Sequence, residues 1–186
     1  MSGLNISIVV HGAQDKHFNN TMRSVLMQTD HKVEVIVINP EDADISAYLT
    51  QLKENGIASS ATAIQSETKG GLLNAAFKAA KAPYIIYLDN ENQEIQIKHG
   101  ALEIFFLEME YNGNAGMIYT DYELIDNNTV KEIHLLKHHI GRVRDNQDFG
   151  KVFMFRKEAL EKVGFADESF KFNTLYDLRL KISEQY

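Results

Sequence analysis

KGGLLNAAFKAAKAPYIIYLDNEN, residues 69–92, holds one complete helix-and-strand unit of the chain and ends in its most chemically suggestive turn. Gly70 and Gly71 lead into an Ala-rich helix that runs to Lys81, and Pro83 marks the exit. Residues 84–88, YIIYL, are continuously apolar, the pattern of a strand buried on both faces. Asp89, Asn90 and Glu91 follow at once. Two carboxylates this close at a strand end can hold a Mg²⁺ or Mn²⁺ ion. The spacing alone suits a plain acidic turn equally, with Asp89 bonding nearby backbone groups.

Upstream, strands and helices alternate in the same way. Residues 5–10 (NISIVV) read as a strand, and 16–28 as a helix with Phe18, Met22, Val25 and Leu26 on one face. Residues 33–38 (VEVIVI) form a second strand stopped by Pro40, which cannot donate to a sheet ladder. A helix over 42–54 carries Ile45, Tyr48, Leu49 and Leu52 at helical spacing, with Gly56 just past its end, and a weak strand spans 60–64. Strands alternating with helices predict an α/β fold: a doubly wound, mostly parallel central sheet with helices on both faces. Such sheets bind ligands beyond the carboxyl ends of their strands. That rule selects residues 11–15, 39–44, 65–71 and 89–92.

The second half has a different rhythm. A helix over about 95–110 offers Ile97, Ala101, Ile104, Phe105 and Leu107 for burial, and the Phe and Met residues of 104–109 read as core. Strands follow at about 116–120 and 130–135, joined by a turn at DNN. After a polar loop over 138–150, a strand at 151–155 runs into a helix near Arg156, and a last helix spans about 174–185. With no repeat, low-complexity tract or linker, residues 1–186 read as one domain.

Composition narrows the function. Cysteine is absent, which excludes disulfides and thiolate metal sites and suits a cytoplasmic protein. Acidic residues outnumber basic ones 26 to 19, without a dense Lys/Arg cluster, so nucleic acid is not the expected partner. No apolar run approaches the roughly 20 residues of a membrane span, and the N-terminus lacks the pattern of a secretory signal.

Four stretches, in order, resemble the family 2 glycosyltransferases of the GT-A fold. They are SVLMQTDHKVEVIVI (24–38), residues 69–92 quoted above, MIYTDYELIDNN (117–128) and FGKVFMFRKEALEKVGFADESF (149–170). The resemblance implies transfer of a sugar from a nucleoside diphosphate sugar, such as a UDP-sugar, to a glycan or other acceptor hydroxyl. It makes Asp89 and Glu91 the metal ligands, in place of an aspartate pair. It makes His11, Asn39, Asp42, Asp89 and Asp121 the donor-site positions.

This sequence departs from the family at several of them. His11, Gly12, Ala13 and Gln14 stand where the family has an aromatic that seats the nucleobase. Asn39 and Pro40, followed by Glu41, Asp42 and Asp44, replace two aspartates. In NTLYDLRLKI (173–182), Thr174 and Leu175 occupy the positions of the glutamate and the aspartate that acts as general base. Leucine cannot take a proton. Asp177 remains as a candidate, although two residues along a helix turn it about 200° away. Asp167 and Glu168 read as a structural turn.

Two readings therefore stay open: a glycosyltransferase with an altered donor pocket, or a non-catalytic relative that supports a partner enzyme or binds a glycan, with a protein partner or homo-oligomer open in either case. The family pattern continues past ISEQY in other members, so acceptor-side segments are expected beyond this chain. His134, His138 and His139 have metal-like spacing only if helical, and they read as strand and loop. Gly70 and Gly71 suit either a phosphate-facing helix start or a purely conformational role.

Overall fold

The structure, a computed structural model, describes residues 5–12, 16–27, 32–38, 45–62, 66, 68–91, 93–127, 129–135 and 148–186. Its centre is a six-stranded sheet in the order β3-β2-β1-β4-β8-β5. These are β1 (Ile6–His11), β2 (Val33–Ile38), β3 (Ala58–Thr62), β4 (Tyr84–Leu88), β5 (Met117–Tyr119) and β8 (Val152–Arg156). Strands β1 to β4 pair in parallel. Only β8 is reversed, pairing antiparallel with both β4 and β5, so the sheet is mixed but mostly parallel, as expected.

Two apolar layers flank it, and the two-residue period of the strands divides them. Ile6, Ile8, Val10, Val33, Val35, Val37, Ile86 and Leu88 point to one face. There they meet helices α1 (Lys16–Leu26), α2 (Ser46–Glu54) and α4 (Ala101–Tyr111). Val9, Ile36, Ile38, Ile85, Tyr87, Phe153 and Phe155 point to the other, against α3 (Lys69–Ala79), α5 (Lys157–Lys162) and α6 (Thr174–Ser183). Coverage of both faces explains why β4 reads as an unbroken apolar run and β1 and β2 as nearly so.

Glu34 is the exception inside β2. It is buried, and its carboxylate accepts from Ser7 Oγ at 2.6 Å and from the Lys81 backbone N–H at 2.5 Å. The Ala82 N–H donates to Ser7 Oγ at 3.1 Å, so these polar groups hold the turn that feeds β4.

Two expectations are corrected. The helix expected from residue 95 begins at Ala101. Residues 95–97 are extended instead: the Ile95 N–H donates to Thr21 Oγ1 and the Ile97 N–H to Ser24 Oγ, both at 3.0 Å. These bonds tie the segment to α1 with Ile95 and Ile97 buried, and Gly100 in the left-handed region (φ 78°) then turns the chain into the helix. The later start rotates the buried face to Leu102, Phe105 and Met109, leaving Ile104 and Leu107 exposed.

The second correction concerns strand pairing. The strand near residue 117 joins the main sheet, and the turn at Asn127 closes a separate hairpin of β6 (Tyr122–Asp126) and β7 (Thr129–Ile133). Among the described residues, no helix is long and apolar enough to cross a membrane.

Candidate functional site

Strand order reverses between β1 and β4: the chain builds outward from β1 to β3, then returns to start β4 on the opposite side. A cleft at the carboxyl ends of these two strands follows from that reversal. His11 ends β1, and Asp89 follows β4 directly.

Asn90 fixes their relative position. Its Oδ1 accepts from the His11 backbone N–H at 2.8 Å, and its Nδ2 donates to the His11 carbonyl at 2.9 Å. This two-pronged bond replaces a further rung of the parallel ladder and leaves Asp89 and Glu91 on either side of a buried amide.

Tyr87 and Asp89 are two residues apart and so share a face. The Tyr87 hydroxyl donates to Asp89 Oδ1 at 3.1 Å and lies 2.7 Å from His11 Nε2. A phenol has one proton, so with that proton on the Asp89 bond His11 must donate through Nε2. Burial, then the charge of Lys69, lowers the His11 pKa and favours the neutral ring. Burial, then Asp89, raises that of Tyr87 well above its ordinary value.

Asp89 is the hub of the cluster. Lys69, from the first turn of α3, donates through Nζ to Asp89 Oδ1 at 2.9 Å and to Glu91 Oε2 at 3.2 Å. Lys151 Nζ lies 3.7 Å from Asp89 Oδ2, and the Asp89 N–H donates to the Lys151 carbonyl at 2.8 Å. Burial opposes the charge on Asp89, but Lys69 and then Lys151 outweigh it and hold the carboxyl below its ordinary value. Burial likewise opposes the charge on Lys69, and Asp89 overrides it to raise the pKa. Asp89 and Lys69 are therefore both charged.

One ring nitrogen of His11 and one carboxylate oxygen from each of Asp89 and Glu91 lie within 4.8 Å of one another. A neutral imidazole and two carboxylates form a donor set that suits Mn²⁺, and Mg²⁺ through its oxygens. These residues fit a divalent cation.

The remaining candidates lie elsewhere. Asp121 sits at the base of the hairpin, where Oδ1 accepts from the Leu135 N–H at 2.8 Å and Oδ2 lies 2.9 Å from His134 Nδ1. Asp177 Oδ2 pairs with Lys181 along α6 at 3.1 Å, without hydrogen-bond geometry. Leu175 packs half-buried on the apolar layer that faces α3. Asn39, Pro40, Glu41, Asp42 and Asp44 lie outside the described residues, as do Ala13, Gln14, His138 and His139.

Gly70 and Gly71 have a steric reason. A Cβ on Gly71 would stand 2.1 Å from Ser66 Oγ, and one on Gly70 2.9 Å from the Asp167 carbonyl. The same approach lets Asn74 clasp the 166–168 turn: it donates to the Ala166 carbonyl and to Glu168, and accepts from the Ala166 N–H, each at 2.9 Å. Glu168 is thus part of a structural turn.

The sequence reading missed Lys69, Lys151, Tyr87 and Asn90. Tyr87 was accessible from strand periodicity, and the other three depend on long-range pairing.

The hairpin pair carries a pH signature. The bond to Asp121 raises the His134 pKa, and the bond from His134 lowers that of Asp121. The Asp121 contribution is present above its ordinary value of 3.8 and fades as pH falls through the lowered value. The His134 contribution is complete below its ordinary value of 6.5 and fades as pH rises through the raised one. The clasp should be intact between these limits. An NMR titration should find His134 titrating above 6.5 and falling toward that value in Asp121→Asn, where Glu132 still faces the ring. Titration at or below 6.5 in the unmodified chain would refute the pairing.

No protein-family model matches the sequence, and no curated protein is similar to it. Among solved structures, S. aureus TarS residues 1–349 superposes with a TM-score of 0.72 at 15% identity, over 97% of this chain and 56% of that one. The same fragment in complex with UDP gives 0.71 at 15%, over 98% and 55%. In complex with UDP-GlcNAc it gives 0.64 at 14%, over 98% and 53%. The chain spans about half the length of these structures, and the likeness shows a shared GT-A-like fold.

Proposed function

We propose that residues 1–186 act as a single donor-binding domain of a glycosyltransferase, taking a nucleoside diphosphate sugar together with a divalent cation. The observation that carries this reading is the convergence of His11, Asp89 and Glu91 at the point where strand order reverses. Asp89 and Glu91 supply hard, charged oxygens; Tyr87 braces Asp89, and Asn90 ties the turn between them to His11. When bound, the cation supplies positive charge that stabilises the departing diphosphate.

In the transfer itself, the bond between the sugar's anomeric carbon and the phosphate oxygen breaks as the acceptor oxygen bonds to that carbon from the opposite face. The acceptor's proton passes to a base. Leu175 cannot take it, and Asp177 is paired with Lys181.

Calorimetry with UDP and UDP-GlcNAc, the nucleotides held in the TarS complexes, tests the reading directly. Binding that requires Mn²⁺ or Mg²⁺ is the expected result. No heat from a panel of UDP-, GDP- and TDP-sugars at millimolar concentration, with either ion, would dispose of it. A second reading, a non-catalytic module, draws on the apolar seat of Leu175. It is separated by transfer activity: sugar transfer lost in Asp89→Ala excludes it.

A further inference from the structure

Lys69 belongs to none of the expected metal or donor positions, yet its ammonium bonds to one oxygen of Asp89 and one of Glu91. Those two residues are also the carboxylate members of the candidate metal cluster. Resting on the donor-binding reading above, we propose that Lys69 is a tethered cation that occupies the metal-binding carboxylates in the nucleotide-free protein and transfers to the diphosphate when nucleotide binds. Metal and nucleotide are thereby coupled, each binding poorly without the other.

Three observations converge on this. First, charge: Asp89 and Glu91 carry two negative charges, and Lys69 and Lys151 stand against them with two positive ones. The cluster then offers a free divalent ion no net attraction. Second, geometry: an ammonium 2.9 Å from Asp89 Oδ1 sits in the space a metal bound to that oxygen would use. The two cations repel, so Lys69 must withdraw for the carboxylates to ligate.

Third, the cluster's parts differ in mobility. Asp89 follows a fully buried strand and is braced by Tyr87, while the next residue, Asn90, is clamped to His11. Lys69 is a four-carbon stem with a 30% exposed side chain at the start of a helix, so it can swing while Asp89 stays. A diphosphate entering the cleft supplies the negative charge that Lys69 gives up, with Lys151 beside it. Nucleotide therefore frees the carboxylates, and by linkage metal raises nucleotide affinity by the same factor.

The test is calorimetric and independent of turnover, comparing the unmodified chain with Lys69→Gln and Lys69→Arg. Mn²⁺ is titrated alone and with saturating UDP, and UDP alone and with saturating Mn²⁺. In the unmodified chain, saturating UDP should tighten Mn²⁺ binding by about tenfold or more. Lys69→Gln should bind Mn²⁺ alone about tenfold more tightly and lose most of the coupling. Lys69→Arg keeps the charge and should keep the original pattern. If Lys69→Gln binds Mn²⁺ alone no better than the unmodified chain does, the tethered-cation proposal is wrong. Should none of UDP, GDP and TDP bind under any condition, the donor-binding reading and the transfer to diphosphate both fall. The Mn²⁺-alone comparison then still decides whether Lys69 occupies the metal site.

Discussion

Asp89→Ala should weaken UDP binding in the presence of Mn²⁺ by roughly 100-fold or more, about 2.7 kcal/mol at 25 °C. Asp89 is the residue every other member of the cluster touches or surrounds. Its Oδ1 accepts from Tyr87 and Lys69, its Oδ2 faces Lys151, and its carboxylate is one of three groups poised for a cation. Losing an indirect support of a metal site typically weakens it by about 10- to 100-fold, and losing a ligand exceeds that.

Asp89→Asn separates charge from shape. The amide keeps an acceptor for Tyr87 but loses the negative charge, so it should fall nearly as far as alanine. Isothermal titration of both variants, with melting curves to confirm folding, decides the matter. An affinity within about threefold of the unmodified chain would remove Asp89 from the metal site, and with it the main support for donor binding.

What the sequence discloses of this site, and what it hides, follows from range. Strands β1, β2 and β4 are legible because each is buried on both faces and carries only apolar residues at nearly every position. The position of Asp89 at the end of β4 is equally local. Asn90 looks like a spacer between two acids, since its partner is the backbone of a residue 79 positions earlier. Lys69 looks like an ordinary helix-surface lysine. Its partners, Asp89 and Glu91, lie 20 and 22 positions later, on the turn after β4.

The helix expected from residue 95 fails for a related reason. Apolar spacing in 95–110 fits a helix, but two hydroxyls on α1 offer the backbone of Ile95 and Ile97 other partners, and tertiary bonding overrides local pattern. The turn and β7 were legible, but the first hairpin strand, β6, was hidden because it is mostly exposed and carries no core-facing alternation. Local patterns reveal what is buried along one element. Residues that meet across elements appear only once strand order is known.

Asn90→Ala tests that last point, because Asn90 belongs to the site without being a ligand. Alanine leaves the His11 N–H and C=O, both in a buried position, without their side-chain partners. An unsatisfied buried polar group costs about 1–3 kcal/mol, so about 3 kcal/mol in total is expected after partial relaxation. For a domain of this size that is a fall in Tm of roughly 6–12 °C. Below the transition, where the variant is folded, Mn²⁺-dependent UDP affinity should also drop by about tenfold, because Asp89 and His11 are no longer held together. The two readouts divide the explanations. A lower Tm with unchanged affinity makes Asn90 a purely structural bolt. An unchanged Tm means that the paired bonds to His11 do not brace the mouth of the sheet, and that the preorganisation assigned to this cleft resides elsewhere.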